Sequence, residues 1–293
     1  MSRTTLETAG FIGLGAMGYP MASHLAKQGL LTAVHNRSHA RSSLFVEEHP
    51  GVSLVGSPEE ILDRVDVVFL CVPQDSDVLG IVEKFSGGIS EGQMVIDCST
   101  INPETAVTVA KLLQEQKGAF LDAPVSGGVE GAKSGRLSIM VGGGESDVNR
   151  AKPFLETFSG QILHMGPVGS GQSAKAVNQV MCAGINQAVT EALAFANRLG
   201  LDLEKTIEAI RGGAAGNWFL EKRGHTMTQG NFKPGFKVRL HQKDLSICLA
   251  LASAAGIEIP LTRLTLEHYD LLISEGHGDE DISALYRLKG RTS

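Results

Sequence analysis

Lys175 and Asn178 stand three residues apart in a small, mostly apolar stretch, Gly169-Ser170-Gly171-Gln172-Ser173-Ala174-Lys175-Ala176-Val177-Asn178. Helical spacing places them on one face, so an ammonium and an amide able to orient it would project together. That pairing suits proton transfer to an oxygen that is gaining negative charge. The same letters would also arise from a lysine stem that snorkels over an apolar surface with its head in water. Val177, Val180, Met181, Ile185, Val189 and Leu193 follow at spacings that predict a helix buried nearly all round.

A second set of residues could hold a nucleotide. Gly13-Leu14-Gly15-Ala16-Met17-Gly18 is a GxGxxG run between a short apolar segment and a helical one that ends near Gln28-Gly29. In that context Gly13 permits a tight turn, Gly15 admits a pyrophosphate to the backbone, and Gly18 lets the helix pack close. The helix N-terminus adds unpaired N–H donors for the phosphates. The second strand runs into Asn36-Arg37-Ser38, where NAD sites usually carry Asp or Glu. A carboxylate would repel a 2′-phosphate and Arg37 can pair with one, so NADP(H) is expected in preference to NAD(H). A solvated Arg37 with NAD use is the alternative.

Further along, Val72-Pro73 and Ser99-Thr100 close strand-like runs, and open α/β sheets bind ligands at the carboxyl ends of their strands. Ser126, Gly127 and Gly128 offer a hydroxyl and consecutive amides that could hold a carboxylate as a nest does. A purely structural turn would read the same.

These groups need a frame. Apolar runs at Gly10–Gly13, Leu31–His35, Val52–Val55, Val67–Val72, Met94–Asp97, Ala119–Asp122, Leu137–Val141 and Gln161–His164 alternate with helix-length stretches. Such alternation predicts βαβ units and a mostly parallel sheet. After Gly169 the strand signals stop, and helical patterns run over Lys175–Leu199, Asp202–Arg211, Val238–Ala255, Pro260–Glu275 and Asp281–Leu288. The expected class is α/β: a Rossmann-type, doubly wound N-terminal domain over 1–165, and an all-α domain over 166–293 joined through a long helix.

Composition narrows the function classes. With 42% hydrophobic and 20% charged residues, the 293-residue chain reads as globular. A net charge of −6 and the lack of a sustained Lys/Arg cluster argue against nucleic acid. Cys71, Cys98, Cys182 and Cys248 form no CxxC pair and read as buried, reduced thiols. The histidines show no metal-ligand spacing, so no metal is expected, and His241 reads as a polar contact. Trp218-Phe219 suits either a pocket wall or the core. Met1–Ala9 lacks the basic and apolar regions of a signal peptide and no apolar run reaches a membrane span, so a cytoplasmic location without membrane association is the expectation.

Taken together, Phe11–Ala22 (FIGLGAMGYPMA), Asp122–Gly143 (DAPVSGGVEGAKSGRLSIMVGG), Gly169–Gln179 (GSGQSAKAVNQ) and Pro234–Leu245 (PGFKVRLHQKDL) resemble, in order, the motifs of the β-hydroxyacid dehydrogenase family. The likeness spans nearly the whole chain. It implies a Rossmann domain followed by a helical domain, with the long helix also used in a homodimer or homotetramer. By position it makes Lys175 the catalytic lysine, Asn178 its partner, and Ser126, Gly127 and Gly128 the substrate carboxylate loop. It also places Lys243 near the nicotinamide with Asp244 in support, makes Val72, Pro73 and Thr100 cofactor contacts, and puts Asp77 where some members touch the cofactor. Many 3-hydroxyisobutyrate dehydrogenases have two asparagines where this chain has Asn178-Gln179, which looks more like the tartronate semialdehyde reductases and brings Gln179 among the substrate-binding residues. The implied reaction is reduction of a short semialdehyde acid to a hydroxy acid, tartronate semialdehyde to glycerate in the first instance. The alternatives within the family are 3-hydroxyisobutyrate and succinic semialdehyde, and outside it a non-catalytic dinucleotide-binding module. A lysine at its ordinary pKa of about 10.4 is an acid near neutrality, so the oxidative direction would demand a lower value from burial or a nearby cation such as Lys243.

Overall fold

The computed structural model describes residues 6–85 and 87–290; residues 1–5, which belong to the N-terminal stretch considered above, lie outside that range. The chain divides into two compact units between Lys175 and Ala176.

The first unit alternates strands and helices: β1 (Ala9–Ile12), α1 (Gly18–Lys27), β2 (Leu31–His35), α2 (His39–Glu48), β3 (Ser53–Leu54), β4 (Val67–Leu70), α3 (Asp75–Lys84), β5 (Met94–Asp97), α4 (Pro103–Gln114), β6 (Ala119–Asp122), β7 (Val125–Ser126), α5 (Gly128–Ser134), β8 (Leu137–Gly142), α6 (Glu145–Leu155) and β9 (Ser159–Gly166). The sheet order is 3-2-1-4-5-6-8-7, with β9 on the other edge of β8. β1 to β6 pair in parallel.

Period-two geometry explains why β1, β4 and β5 are apolar at nearly every position. Val34, Phe11, Phe69, Ile96 and Leu121 form one row across the sheet and pack with Met21, Leu25, Phe45, Phe154 and Phe158. The alternate row, Ala33, Val68, Val95 and Phe120, faces Val78, Val82, Val109 and Leu113 of α3 and α4 on the other side. A sheet buried on both faces needs this continuous apolar reading. The strand order reverses between β1 and β4, the switch point at which doubly wound sheets bind ligands beyond the strand carboxyl ends.

The expected strands form, with one addition. β6 and β7 share one antiparallel register on β8, pairing Asp122 with Gly142, Val125 with Ile139 and Ser126 with Ser138. They act as one bent strand interrupted at Ala123-Pro124, where the prolyl nitrogen has no hydrogen to donate.

α7 (Ser170–Arg198) begins in the first unit and continues into the second, which adds α8 (Leu203–Arg211), α9 (Trp218–Thr228), α10 (Val238–Ala254), α11 (Pro260–Ser274) and α12 (Tyr286–Lys289). Leu193, Ile207, Phe219, Leu220, Met227, Leu245, Tyr269 and Leu272 form its core. Phe219 therefore packs inside, whereas Trp218 is exposed with Arg223 over its ring. α9 was not expected from the sequence; the Asn217 side chain caps it by accepting from the Leu220 amide at 2.9 Å. The expectation that α7 is buried all round is corrected. Val177, Met181, Phe195 and Leu199 are exposed along one stripe, because the core takes only the alternate face of the helix. No helix among the described residues is long and apolar enough to cross a membrane.

Candidate active site

The glycine turn between β1 and α1 is built by close approach. Gly13 has φ +99°, and a Cβ there or on Gly18 would run into the Cys71 or Gly13 carbonyl oxygen respectively. Gly15 differs: a Cβ built on it meets nothing within 4 Å. In the first turn of α1 the Tyr19 amide donates back to the Gly15 carbonyl at 3.1 Å and Pro20 has no N–H, and Met17 at the N-cap position supplies no side-chain cap. Open space at Gly15 beside a helix N-terminus fits a dinucleotide pyrophosphate.

Asn36 braces this turn. Its Oδ1 accepts from the Leu14 amide at 2.9 Å while its Nδ2 donates to the Ser38 carbonyl at 3.0 Å. Arg37 reaches into solvent with its side chain 87% exposed, and its Nη1 lies 3.5 Å from Asp77 Oδ1. Asp77 Oδ2 is buried with no hydrogen-bond partner among the described residues. The structure thus brings Arg37 and Asp77 together from the ends of β2 and the first turn of α3.

A chain of hydrogen bonds that sequence reading missed holds the base of α7. Val72 N donates to Ser99 Oγ at 2.9 Å, and Gln172 Nε2 donates to the Ser99 carbonyl at 2.8 Å. Gln172 Oε1 accepts from Ile101 N at 3.1 Å. Asp122, fully buried, accepts from Gly169 N at 2.8 Å and Gln172 N at 2.9 Å. Burial raises its carboxyl above the ordinary range, against the opposing pull of the Gly169, Gln172 and Gly171 amides. Val72, Ser99, Gln172 and Asp122 therefore lock the ends of β4, β5 and β6 to the first turn of the helix that carries Lys175. Lys175 is buried, with 8% of its surface exposed.

Ser126, Gly127 and Gly128 form the bend between β7 and α5. Gly127 has φ +131° and Gly128 φ +64°, conformations that L side chains rarely adopt. Pro73 is exposed and Thr100 half-buried, each following the carboxyl end of its strand.

The second unit contains a polar group of its own. Asn178 Nδ2 donates to Gln179 Oε1 at 2.8 Å and reaches Cys182 Sγ at 3.5 Å. Gln179 Nε2 donates to Asp244 Oδ2 at 2.6 Å, and Lys243 Nζ sits 2.9 Å from Asp244 Oδ1. His241 is fully buried and hydrogen-bonded to the Tyr269 hydroxyl at 3.0 Å, with its other nitrogen 3.4 Å from the Gln179 carbonyl. Among the described residues, no group of three or more His, Cys, Asp or Glu side chains could hold a metal ion.

Known proteins resemble this chain in sequence and fold. Residues 8–166 match the NAD-binding domain of 6-phosphogluconate dehydrogenase, and residues 169–289 match the NAD-binding domain of NADP-dependent 3-hydroxyisobutyrate dehydrogenase. The chain is 37% identical to the 2-hydroxy-3-oxopropionate reductase of Escherichia coli, over 94% of each chain. It is 33% identical to the NAD-dependent L-serine dehydrogenase of Pseudomonas aeruginosa, over 97% of this chain and 98% of the relative. The solved structure of 3-hydroxyisobutyrate dehydrogenase from Mycobacterium tuberculosis with L-serine superposes with a TM-score of 0.85 at 32% identity, covering 97% of this chain and 99% of that one. On its ordered motifs, its fold and these full-length likenesses, the chain belongs to the β-hydroxyacid dehydrogenase family of NAD(P)-dependent oxidoreductases.

Proposed function

We propose that this chain is an NADP(H)-preferring reductase that converts tartronate semialdehyde, 2-hydroxy-3-oxopropionate, to glycerate. The observation that carries the substrate is the Asn178-Gln179 pair, supported by the likeness to the E. coli enzyme named for that compound. Arg37 at the end of β2 supports the cofactor preference, because its exposed guanidinium can pair with a 2′-phosphate.

When bound, the nicotinamide supplies a hydride to the carbonyl carbon. Lys175 stabilises the charge that develops on the carbonyl oxygen and gives that oxygen a proton, and Asn178 orients its ammonium. Acid assistance of this kind contributes about 10²- to 10⁴-fold. The Ser126 hydroxyl with the Gly127 and Gly128 amides takes the substrate carboxylate. Gly13 to Gly18 take the pyrophosphate, while Val72, Pro73, Asp77 and Thr100 border the cofactor. Lys243, held by Asp244, serves its nicotinamide end. The exposed stripe of Val177, Met181, Phe195 and Leu199 supports self-association into a homodimer or homotetramer.

A second reading is oxidation of a short β-hydroxy acid such as L-serine with NAD, favoured by the P. aeruginosa relative and the L-serine in the M. tuberculosis structure. Steady-state kinetics on tartronate, methylmalonate and succinic semialdehydes with NADPH and NADH, and on L-serine with NADP and NAD, separate the two. The proposal expects the highest kcat/KM for tartronate semialdehyde with NADPH. A higher value for L-serine with NAD would replace it.

A further inference from the structure

Gln179 has 2% of its surface exposed, and both ends of its amide are engaged within the second unit. The Asp244 carboxylate, paired with the Lys243 ammonium, carries only acceptors. The end of Gln179 that lies 2.6 Å from it must therefore be Nε2. Oε1 is then turned to Asn178, and an acceptor there requires Asn178 to point Nδ2 inwards, where the same group also meets Cys182 Sγ. Asn178 consequently turns its Oδ1 outwards. In the proposed reading, where Asn178 orients the Lys175 ammonium, that polarity matters, since an amide oxygen attracts an ammonium and an amide NH2 repels it.

We propose that Gln179 is a positioning residue that transmits polarity from Asp244 to Asn178, so that Asn178 turns its carbonyl oxygen, and not its NH2, away from Gln179. This role rests on the reductase reading for its catalytic consequence, and on the hydrogen-bond chain alone for its polarity. It makes Gln179 act through Asn178 rather than by touching substrate. A glutamine suits the position because it is an acceptor at one end and a donor at the other, and a leucine would be neither.

The test is Gln179→Glu in the full-length protein. Two carboxyls at this separation resist joint ionisation, so at low pH the variant holds a proton between position 179 and Asp244. With that proton in place the new side chain donates to Asp244 and accepts from Asn178, the wild-type pattern. Once it leaves, two acceptors face each other. The pair's proton affinity is raised by folding, so the variant's stability relative to wild type is kept at low pH and lost as pH rises. The other titratable neighbours within the second unit are Lys243, His241 and Cys248 on α10, Tyr269 on α11, and Cys182 on α7. Comparison with wild type at each pH cancels their own titration.

The expected result is near-wild-type kcat at about pH 5.5 and a loss of about tenfold or more at about pH 8, with an unchanged NADPH KM. The melting temperature should drop further below wild type over the same range. In the Gln179→Glu/Asp244→Asn double variant the amide introduced at position 244 supplies the missing donor, and both pH dependences should vanish. A kcat and a melting offset that stay flat with pH in the single variant, or a Gln179→Leu variant with wild-type kcat, would overturn the proposal. Wild-type protein that turns over no short semialdehyde would defeat the reductase reading instead, and the melting offset would still decide the polarity.

Discussion

Gln172 gives its backbone amide to the buried carboxylate of Asp122 at 2.9 Å, across fifty residues of chain. This bond joins the end of β6 to the first turn of α7, and so ties the bend at Ser126–Gly128 to the helix that carries Lys175. An amide in place of the carboxylate can accept from only one of the two N–H groups that now face it. Asp122→Asn is therefore expected to cost about 1–3 kcal/mol of stability, the penalty for an unsatisfied buried donor. Urea unfolding checks this, and an unchanged midpoint would count against the bond as a structural tie.

The Arg37–Asp77 pair should set cofactor choice in two opposite directions. Arg37→Ala is expected to raise the KM for NADPH about 10- to 100-fold, the worth of a charge-assisted bond to phosphate, and to leave NADH nearly unaffected. Asp77→Asn removes the competing carboxylate 3.5 Å from the guanidinium and should lower the NADPH KM. Paired Michaelis constants for the two cofactors decide both.

Gly127→Ala should damage substrate binding more than cofactor binding. A φ of +131° strains an L-residue by about 1–3 kcal/mol, so the loop must shift its amides. The expected outcome is a higher KM for the semialdehyde at an unchanged NADPH KM. Equal rises in both constants would show a general loss of structure.

Cys71 and Cys98 should resist alkylation in the folded protein. Burial, reinforced by the Asp97 carboxylate, pushes the Cys71 thiol up from 9.0 to about 12, and burial raises Cys98 likewise. Only the thiolate reacts, so at about pH 8 the half-buried Cys71 should react with iodoacetamide well below the rate of the unfolded chain. Mass spectrometry of timed reactions measures it. Fast labelling of Cys71 without unfolding would contradict this environment.

The strands and the glycine turn were legible because their causes are local. Val67 to Leu70 and Met94 to Asp97 are apolar on both faces of a buried sheet, Gly13 is demanded by its own φ of +99°, and Gly18 by the Gly13 carbonyl within one turn. β7 was not legible, since two residues after Pro124 carry no period of their own and gain strand geometry only from β8. α9 was hidden for a related reason: Trp218 and Phe219 read as pocket or core, and the Asn217 cap that starts the helix needs no particular pattern after it. Lys175 and Asn178 were visible as letters, but the partners of Gln172 and Gln179 were not. Ser99 and Asp122 lie far from Gln172 in sequence, and Asp244 lies far from Gln179, so no spacing rule connects them.

The proposed reduction of a short semialdehyde rests on Lys175 as the proton donor. Its most direct test is kcat for Lys175→Ala on tartronate semialdehyde, with NADPH binding followed in parallel by the quenching of protein fluorescence. The expected result is a loss of about 10²- to 10⁴-fold in kcat with NADPH affinity retained. A variant that turns over at the wild-type rate would contradict it.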